Sequence, residues 1–325
     1  MKWACLLLLP IVLLKGTAFA ENELSLAVEF NSHAAAFYVA LEKGFFDAEG
    51  LRIKSYEAFL TGPALASALK KENIEAAYMC VHPAIAVYAN GGVKLKIVSG
   101  THLYGYGLSV NPKKIKSLKD LERSGIKIGC VGEGSGTDLI MRKMIEKYGF
   151  NEDKVLSSVF RMSPPNMLCA LRSGSIDAAF LPEHFLTLAE KEGFKVFLTA
   201  RDVWPNFQGS VIVVKEEVMR NKEKEVKKLS FITKKATQWI NTHREDAAKI
   251  LSKYLSLEST RSGFTGKIDS KADISISDSQ VLSSMSRLEY TTKIEKEMVQ
   301  EIIDFMAKKC YLRERFQAEK ILSSF

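Results

Sequence analysis

Four of the five histidines, His33, His82, His102 and His184, each follow a strand-like run, where loops gather at one end of a sheet. His243 alone falls in a helical tail. Imidazoles grouped in this way can ligate a transition metal, donate to an anion or stack on a ring. No pair is spaced HxH or HxxxH and no carboxylate-flanked zinc motif occurs, so the spacing predicts no metal site. A second candidate is the turn GCVGEGSGTDLIMRKMIEKYG at 129–149. Serine rather than lysine follows Gly134, which excludes a P-loop, and Thr137 replaces the third glycine of the dinucleotide fingerprint. What remains is a helix start whose amides, with the Ser135 and Thr137 hydroxyls, can hold a sulfonate, carboxylate or phosphate. A plain helix cap without ligand is the alternative. Glu183 and His184 could act as an acid and base, but neighbours at a helix start point apart and no ordering partner can be named. No GxSxG nucleophile turn is present. No catalytic residue and no cofactor is expected.

The surrounding chain limits these options. Lys2, an apolar run from Ala4 to Leu14 and Ala18-Phe19-Ala20 have the charge, length and small-x-small ending of a cleavable export signal. That run is too short to span a bilayer, which takes about 20 residues. Residues 1–20 are therefore expected to be a signal peptide and the rest an exported, periplasmic chain. The 325 residues suffice for two domains, and 46% hydrophobic with 26% charged is a globular composition. The formal charge of +8 is spread over helix-like faces interleaved with acids, with no aromatic-basic pattern, so no nucleic-acid partner is expected. Cys80, Cys130, Cys169 and Cys310 form no CxxC, and they are read as buried free thiols rather than a disulfide framework.

The elements that must position the candidates come from an internal repeat. TGPALASALKKENIEAAYMC at 61–80 and SPPNMLCALRSGSIDAAFLP at 163–182 align without a gap at an offset of 102. The register continues outward, pairing His82 with His184 and Leu26 with Ile128. Each copy reads as a strand (LSLAVEF, IKIGCVG), then a helix capped by Thr61 or Ser163 with proline just inside. A second strand (IEAAYM, IDAAFL) and a helix ending at glycine follow. Such alternation predicts two parallel-sheet lobes, whose ligand loops lie at the carboxyl ends of the strands. After 215 the pattern turns helical, with Val226, Leu229, Ile232, Ala236 and Ile240 at helical intervals. A serine-rich stretch at 256–277 is expected to hide a short helix or a flap.

The order of these blocks resembles the periplasmic solute-binding proteins of ABC importers in the NitT/TauT (nitrate, sulfonate, taurine, SsuA-like) group. FYVALEKGFFDAEGL at 37–51 looks like that family's first helix and turn. The block 61–78, GEGSGTDLIMRKMIEKYGF, WPNFQGSVIVV and RLEYTTKIEKEMVQEIIDFM are similar to its later blocks. The resemblance implies an α/β fold of the type II periplasmic binding class, two lobes with a ligand cleft between them and two crossings. Lobe 1 would comprise 21–106 and 209–325, and lobe 2 would comprise 107–208. It implies a monomer that captures a small solute and delivers it to an ABC permease in the inner membrane. Contacts are implied from Asn31, Ser32 and His33, from Thr61 and Gly62, from His82 and Pro83, and from Thr101 and His102. Ser135, Gly136, Thr137, Glu183 and Phe207 complete the set, with Trp204–Phe207 at the second crossing. A yeast-type relative that makes the thiamin pyrimidine uses a cysteine cluster, and nothing similar is present here. No arginine falls in the expected cleft, since Arg142 lies inside its helix and Arg161 ends a strand. The residues accordingly leave two solute classes open, an oxyanion and a pyrimidine-like heterocycle, with Phe37, Tyr38, Tyr104 and Tyr106 near in sequence. An enzyme using Glu183 and His184, or a ligand-sensing domain, are the other functions this fold allows.

Overall fold

The repeat in the sequence is a repeat of structure. The computed structural model describes residues 22–71, 73–256 and 275–323. The leader expected at 1–20 lies outside them, as does all but the ends of the 256–277 stretch. The strands are β1 (Glu23–Glu29), β2 (Arg52–Phe59), β3 (Ala76–Cys80), β4 (Leu95–Tyr104), β5 (Tyr106–Val110) and β6 (Ile128–Cys130). They continue with β7 (Val159–Arg161), β8 (Ala178–Pro182), β9 (Lys195–Thr199), β10 (Gln208–Lys215) and β11 (Leu288–Tyr290). Among the described residues they form two sheets, ordered β11-β4-β10-β3-β1-β2 and β7-β6-β8-β5-β9. In the first sheet Leu26 pairs with Ala76 and Ala27 with Ala77; in the second, Ile128 pairs with Ala178 and Gly129 with Ala179. The offset of 102 carries the first set onto the second residue for residue. Each sheet then accepts one antiparallel strand at the same place, Ile212 against Tyr78 and Leu108 against Phe180.

Local chemistry accounts for the elements. β1 is buried at all seven positions, as a strand covered on both faces requires. Thr61 caps the helix Gly62–Ala68 by accepting from the Ala64 amide at 3.4 Å. Ser163, its counterpart, begins the helix Pro164–Arg172 without a side-chain cap bond. The helix Val81–Gly91 stops at Gly92, whose φ of 70° is the left-handed value glycine adopts without strain. The long helix Glu223–Thr242 buries Val226, Leu229, Ile232, Ala236 and Ile240, the stripe expected from the sequence. No helix among the described residues is long and apolar enough to cross a membrane.

The chain passes between the sheets twice. The first passage, from β4 to β5, turns on Tyr104 and Gly105, at φ 66° and 89°. A Cβ on Gly105 would stand 2.7 Å from His33 Nε2, so both backbone and space demand glycine there. The return runs from the helix Ala200–Val203 through Trp204–Phe207 into β10. Trp204 packs on Phe207 and Phe305, with ring centroids 5.0 and 5.1 Å away. The four cysteines among the described residues are free thiols. Cys80 and Cys130 are buried as expected, but Cys169 is only partly covered and Cys310 is exposed. Cys310 lies just past the helix Lys296–Lys308, where the chain has left the core.

Candidate functional site

The site is built where β1, β3 and their lobe-2 counterparts β6 and β8 end. Glu29 and Cys80 are the last residues of β1 and β3, and Pro182 is the last of β8. Val131 directly follows β6. The cleft is lined by these four together with Asn31, Thr61, Gly62, His82, Tyr106, Ser135, Gly136 and Thr137, with Leu60, Pro63 and Pro164 completing it. Positions 29 and 131, 62 and 164, and 80 and 182 are related by the repeat, so both halves present equivalent backbone to one space. They differ in chemistry. Lobe 1 contributes a carboxyl, a thiol and an imidazole; lobe 2 contributes valine, proline and hydroxyls.

The cleft is nearly shut, with a cavity of about 30 Å³. That volume suits one water molecule or an ion. Outside Pro63 it meets a groove of about 330 Å³ between Pro83, Asn90, Gly134 and Tyr311. At Gly136 the two lobes are in close contact. A Cβ there would meet Tyr106 Cζ at 2.4 Å and His82 Cε1 at 2.6 Å. Gly62 is similarly pressed, its Cβ falling 2.6 Å from Glu29 Oε1.

A polar cluster lies at the floor. Glu29 accepts from the Cys80 amide at 2.8 Å and from Asn31 Nδ2 at 3.2 Å, and the Cys80 thiol donates to it at 2.8 Å. Cys80 Sγ is also 2.6 Å from the Tyr106 hydroxyl and 3.5 Å from His33 Nδ1. The His33 Nε2 sits 2.9 Å from the Gly105 carbonyl, a bond in which only the nitrogen can donate. Burial pushes the Glu29 carboxyl up, and it pushes the Cys80 thiol well up, with Glu29 beside it adding to the effect. Burial lowers His33 to about 4 and His82 to about 3, and holds His102 well below its ordinary value. Near neutral pH the floor therefore carries an uncharged thiol and neutral imidazoles around the Glu29 carboxyl.

The structure divides the expected site residues into two groups. Asn31, Thr61, Gly62, His82, Ser135, Gly136 and Thr137 line the cleft. His33 and His102 form the layer beneath, their rings 4.4 Å apart. Pro83 faces the outer groove. Ser32 turns toward Ser284 and Tyr290, and Thr101 is buried within β4. Phe207 packs between Trp204, Tyr106 and His82 in the second crossing. Glu183 faces the seam between the lobes, accepting from Thr187 at 2.6 Å and from Arg287 at 3.3 Å. His184, at φ 57°, places its ring edge-on to Phe30 at 5.9 Å. Of the aromatic residues near in sequence, Phe37 and Tyr38 belong to the core, Tyr104 donates to the Pro205 carbonyl, and Tyr106 alone lines the cleft.

The glycine-rich turn spends much of its polar capacity on itself. Ser135 Oγ accepts from the Asp138 amide at 3.3 Å, and Thr137 Oγ1 accepts from Val131 N at 3.3 Å. The Asp138 carboxylate accepts from the Gly134 amide at 3.2 Å and from Tyr311 at 2.5 Å, and pairs with Arg161 at 2.8 Å and Arg142 at 3.3 Å. An internal carboxylate thus serves part of the helix start, and both arginines are committed to it. Glu29 and Cys80 were not singled out in the sequence. The available signal was their position at the carboxyl ends of two parallel strands.

A model of the NMT1-like family matches residues 18–256. Among curated proteins, the nitrate import ATP-binding protein NrtC of Synechocystis is 25% identical over 218 residues, covering 62% of this chain and 32% of that one. The chain thus spans about a third of that relative's length. Among solved structures, the ligand-binding component of an ABC-type import system from Staphylococcus aureus, with zinc bound, is similar at a TM-score of 0.77 and 17% identity. That match covers 93% of this chain and 97% of the other. The alkanesulfonate-binding protein SsuA from Xanthomonas axonopodis pv. citri, bound to MOPS, gives 0.75 and 15% over 94% and 99%. The periplasmic nitrate-binding protein NrtA from Synechocystis gives 0.72 and 14% over 93% and 85%. At these identities the likeness establishes the fold, that of periplasmic binding proteins.

Proposed function

The chain belongs to the NMT1-like family, and from that premise we propose that it is a periplasmic solute-binding protein of an ABC importer. It captures a small solute between its lobes as a monomer and hands it to an inner-membrane permease. The observation that carries this reading is the cleft, lined by equivalent strand ends of two repeated lobes and sealed where Gly136 meets Tyr106 and His82. The units that move are 21–106 with 209–325, and 107–208, hinged at the two crossings. Closure follows when the solute binds the shut form more tightly than the open one.

The lining favours a polar heterocycle of the pyrimidine class over a sulfonate or nitrate. It contains no lysine or arginine, and it holds a buried carboxyl, Glu29, where an anion would need a cation. An oxyanion would meet few free donors there, whereas a heterocycle can exchange hydrogen bonds with Asn31, Thr61, His82 and Tyr106. Glu183 and His184 face the lobe seam rather than the cleft, which supports a receptor over an enzyme.

Thermal-shift screening with pyrimidines, sulfonates and nitrate tests this. A ligand at a hundredfold its Kd stabilises the fold by about 2.7 kcal/mol. The expected result is an upward shift with a heterocycle and no turnover. A shift with sulfonates alone would overturn the solute class. Turnover that is lost in Glu183→Gln would overturn the receptor.

A further inference from the structure

We propose that Glu29, His33 and Cys80 form a binding site for a divalent transition-metal ion of the zinc class at the floor of the cleft. One oxygen, one nitrogen and one sulfur from these residues lie within 4.8 Å of one another, and all three residues are buried. In a tetrahedral site with metal–sulfur bonds of about 2.3 Å and metal–nitrogen bonds of about 2.0 Å, ligand atoms stand about 3.5 Å apart. Cys80 Sγ is already 3.5 Å from His33 Nδ1 and 2.8 Å from Glu29 Oε2, so small side-chain rotations suffice.

The surrounding bonds orient each ligand. Donation from His33 Nε2 to the Gly105 carbonyl leaves the lone pair on Nδ1, the nitrogen facing the thiol. Metal-bound histidines are usually held this way, with the second ring nitrogen tied to a carbonyl or carboxylate. The Cys80 amide and Asn31 Nδ2 fix the Glu29 carboxyl. A thiolate with an imidazole and a carboxylate suits zinc-class ions and is poorly matched to calcium or magnesium. The cavity touching Glu29 and Cys80 has the volume of an ion or a single water. Two further imidazole nitrogens nearby, His102 Nε2 and His82 Nδ1, are buried without a hydrogen-bond partner among the described residues. Three protein ligands leave a fourth position open toward the cavity. On binding, the Cys80 thiol proton passes to solvent and Glu29 ligates as the carboxylate.

This inference goes beyond the receptor reading and is tested without any solute. The purified chain, stripped with a chelator, is titrated with Co²⁺ alone. The expected result is a near-ultraviolet thiolate-to-cobalt band that saturates at one equivalent and is bleached by Zn²⁺. Cys80→Ser should abolish the band and His33→Gln should weaken binding at least tenfold. Cys310→Ser, at an exposed thiol, should leave the band intact. Absence of the band, its survival in Cys80→Ser, or its loss in Cys310→Ser would overturn the site. X-ray absorption on the unaltered zinc-loaded chain guards against variants that fail to fold. One sulfur at about 2.3 Å with nitrogen or oxygen at about 2.0 Å supports the site, and a shell without sulfur refutes it.

Discussion

At the scale of single residues, burial sets the chemistry of this protein. The Glu183 carboxyl is pushed up to about 7 by burial, with Arg287 beside it pulling the other way. Below pH 4.5 it is neutral in both folded and unfolded chains. Between 4.5 and about 7 the unfolded chain releases the proton first, so stability falls as pH rises and then levels. Buried histidines act oppositely. His33 is lowered to about 4 and His184 to about 3, so their contribution is complete above 6.5 and is lost as pH falls. The loss approaches 1.4 kcal/mol per pH unit for each. Between 4.5 and 6.5 the two histidines outweigh Glu183, so the unfolding midpoint should rise with pH and level near 7, and Glu183→Gln should steepen that rise. Calorimetry from pH 4 to 8 checks this. Arg287→Ala leaves Glu183 with a single partner in the seam and should cost about 1–3 kcal/mol at pH 8, read from denaturant unfolding.

At the scale of elements, the repeat makes a differential test possible. Thr61 caps its helix and Ser163 does not, although they occupy equivalent places. Thr61→Ala should cost about 0.5–1 kcal/mol and Ser163→Ala close to nothing, measured by urea midpoints. The same repeat explains why the architecture was legible in the sequence. Strand runs, caps and glycine stops are local patterns, and the matched register from Leu26 to Ile128 and from Ala76 to Ala178 carried them into sheet pairing. The site was legible only in outline. Thr61, His82 and Ser135 stand at helix starts that follow strand ends, as the sequence predicts, and they line the cleft. The meeting of Glu29, His33 and Cys80 depends on the packing of β1 against β3 and on Gly105 folding over His33, which no short-range spacing records. The bonds of Glu183 to Thr187 and Arg287 are equally beyond short-range spacing, since its counterpart by the repeat, Val81, begins a helix and offers no polar pattern to extend.

At the scale of the whole molecule, the contact at Gly136 would couple closure to binding in the proposed receptor. Gly136→Val forces a side chain into the rings of Tyr106 and His82, so the lobes cannot seat. Solute affinity should fall at least tenfold while circular dichroism and the helix content stay unchanged; unaltered affinity would detach the turn from closure. If the cleft takes a heterocycle, as proposed, a cavity of about 30 Å³ requires the lobes to part for entry. Small-angle scattering should then show a larger radius of gyration without solute than with it. The same closure would govern departure. Cargo held between shut lobes would leave only as fast as the hinges yield. Chemically different passengers should then leave at similar speeds unless they alter the swing itself, and a permease of the proposed kind would hasten unloading merely by holding the halves apart.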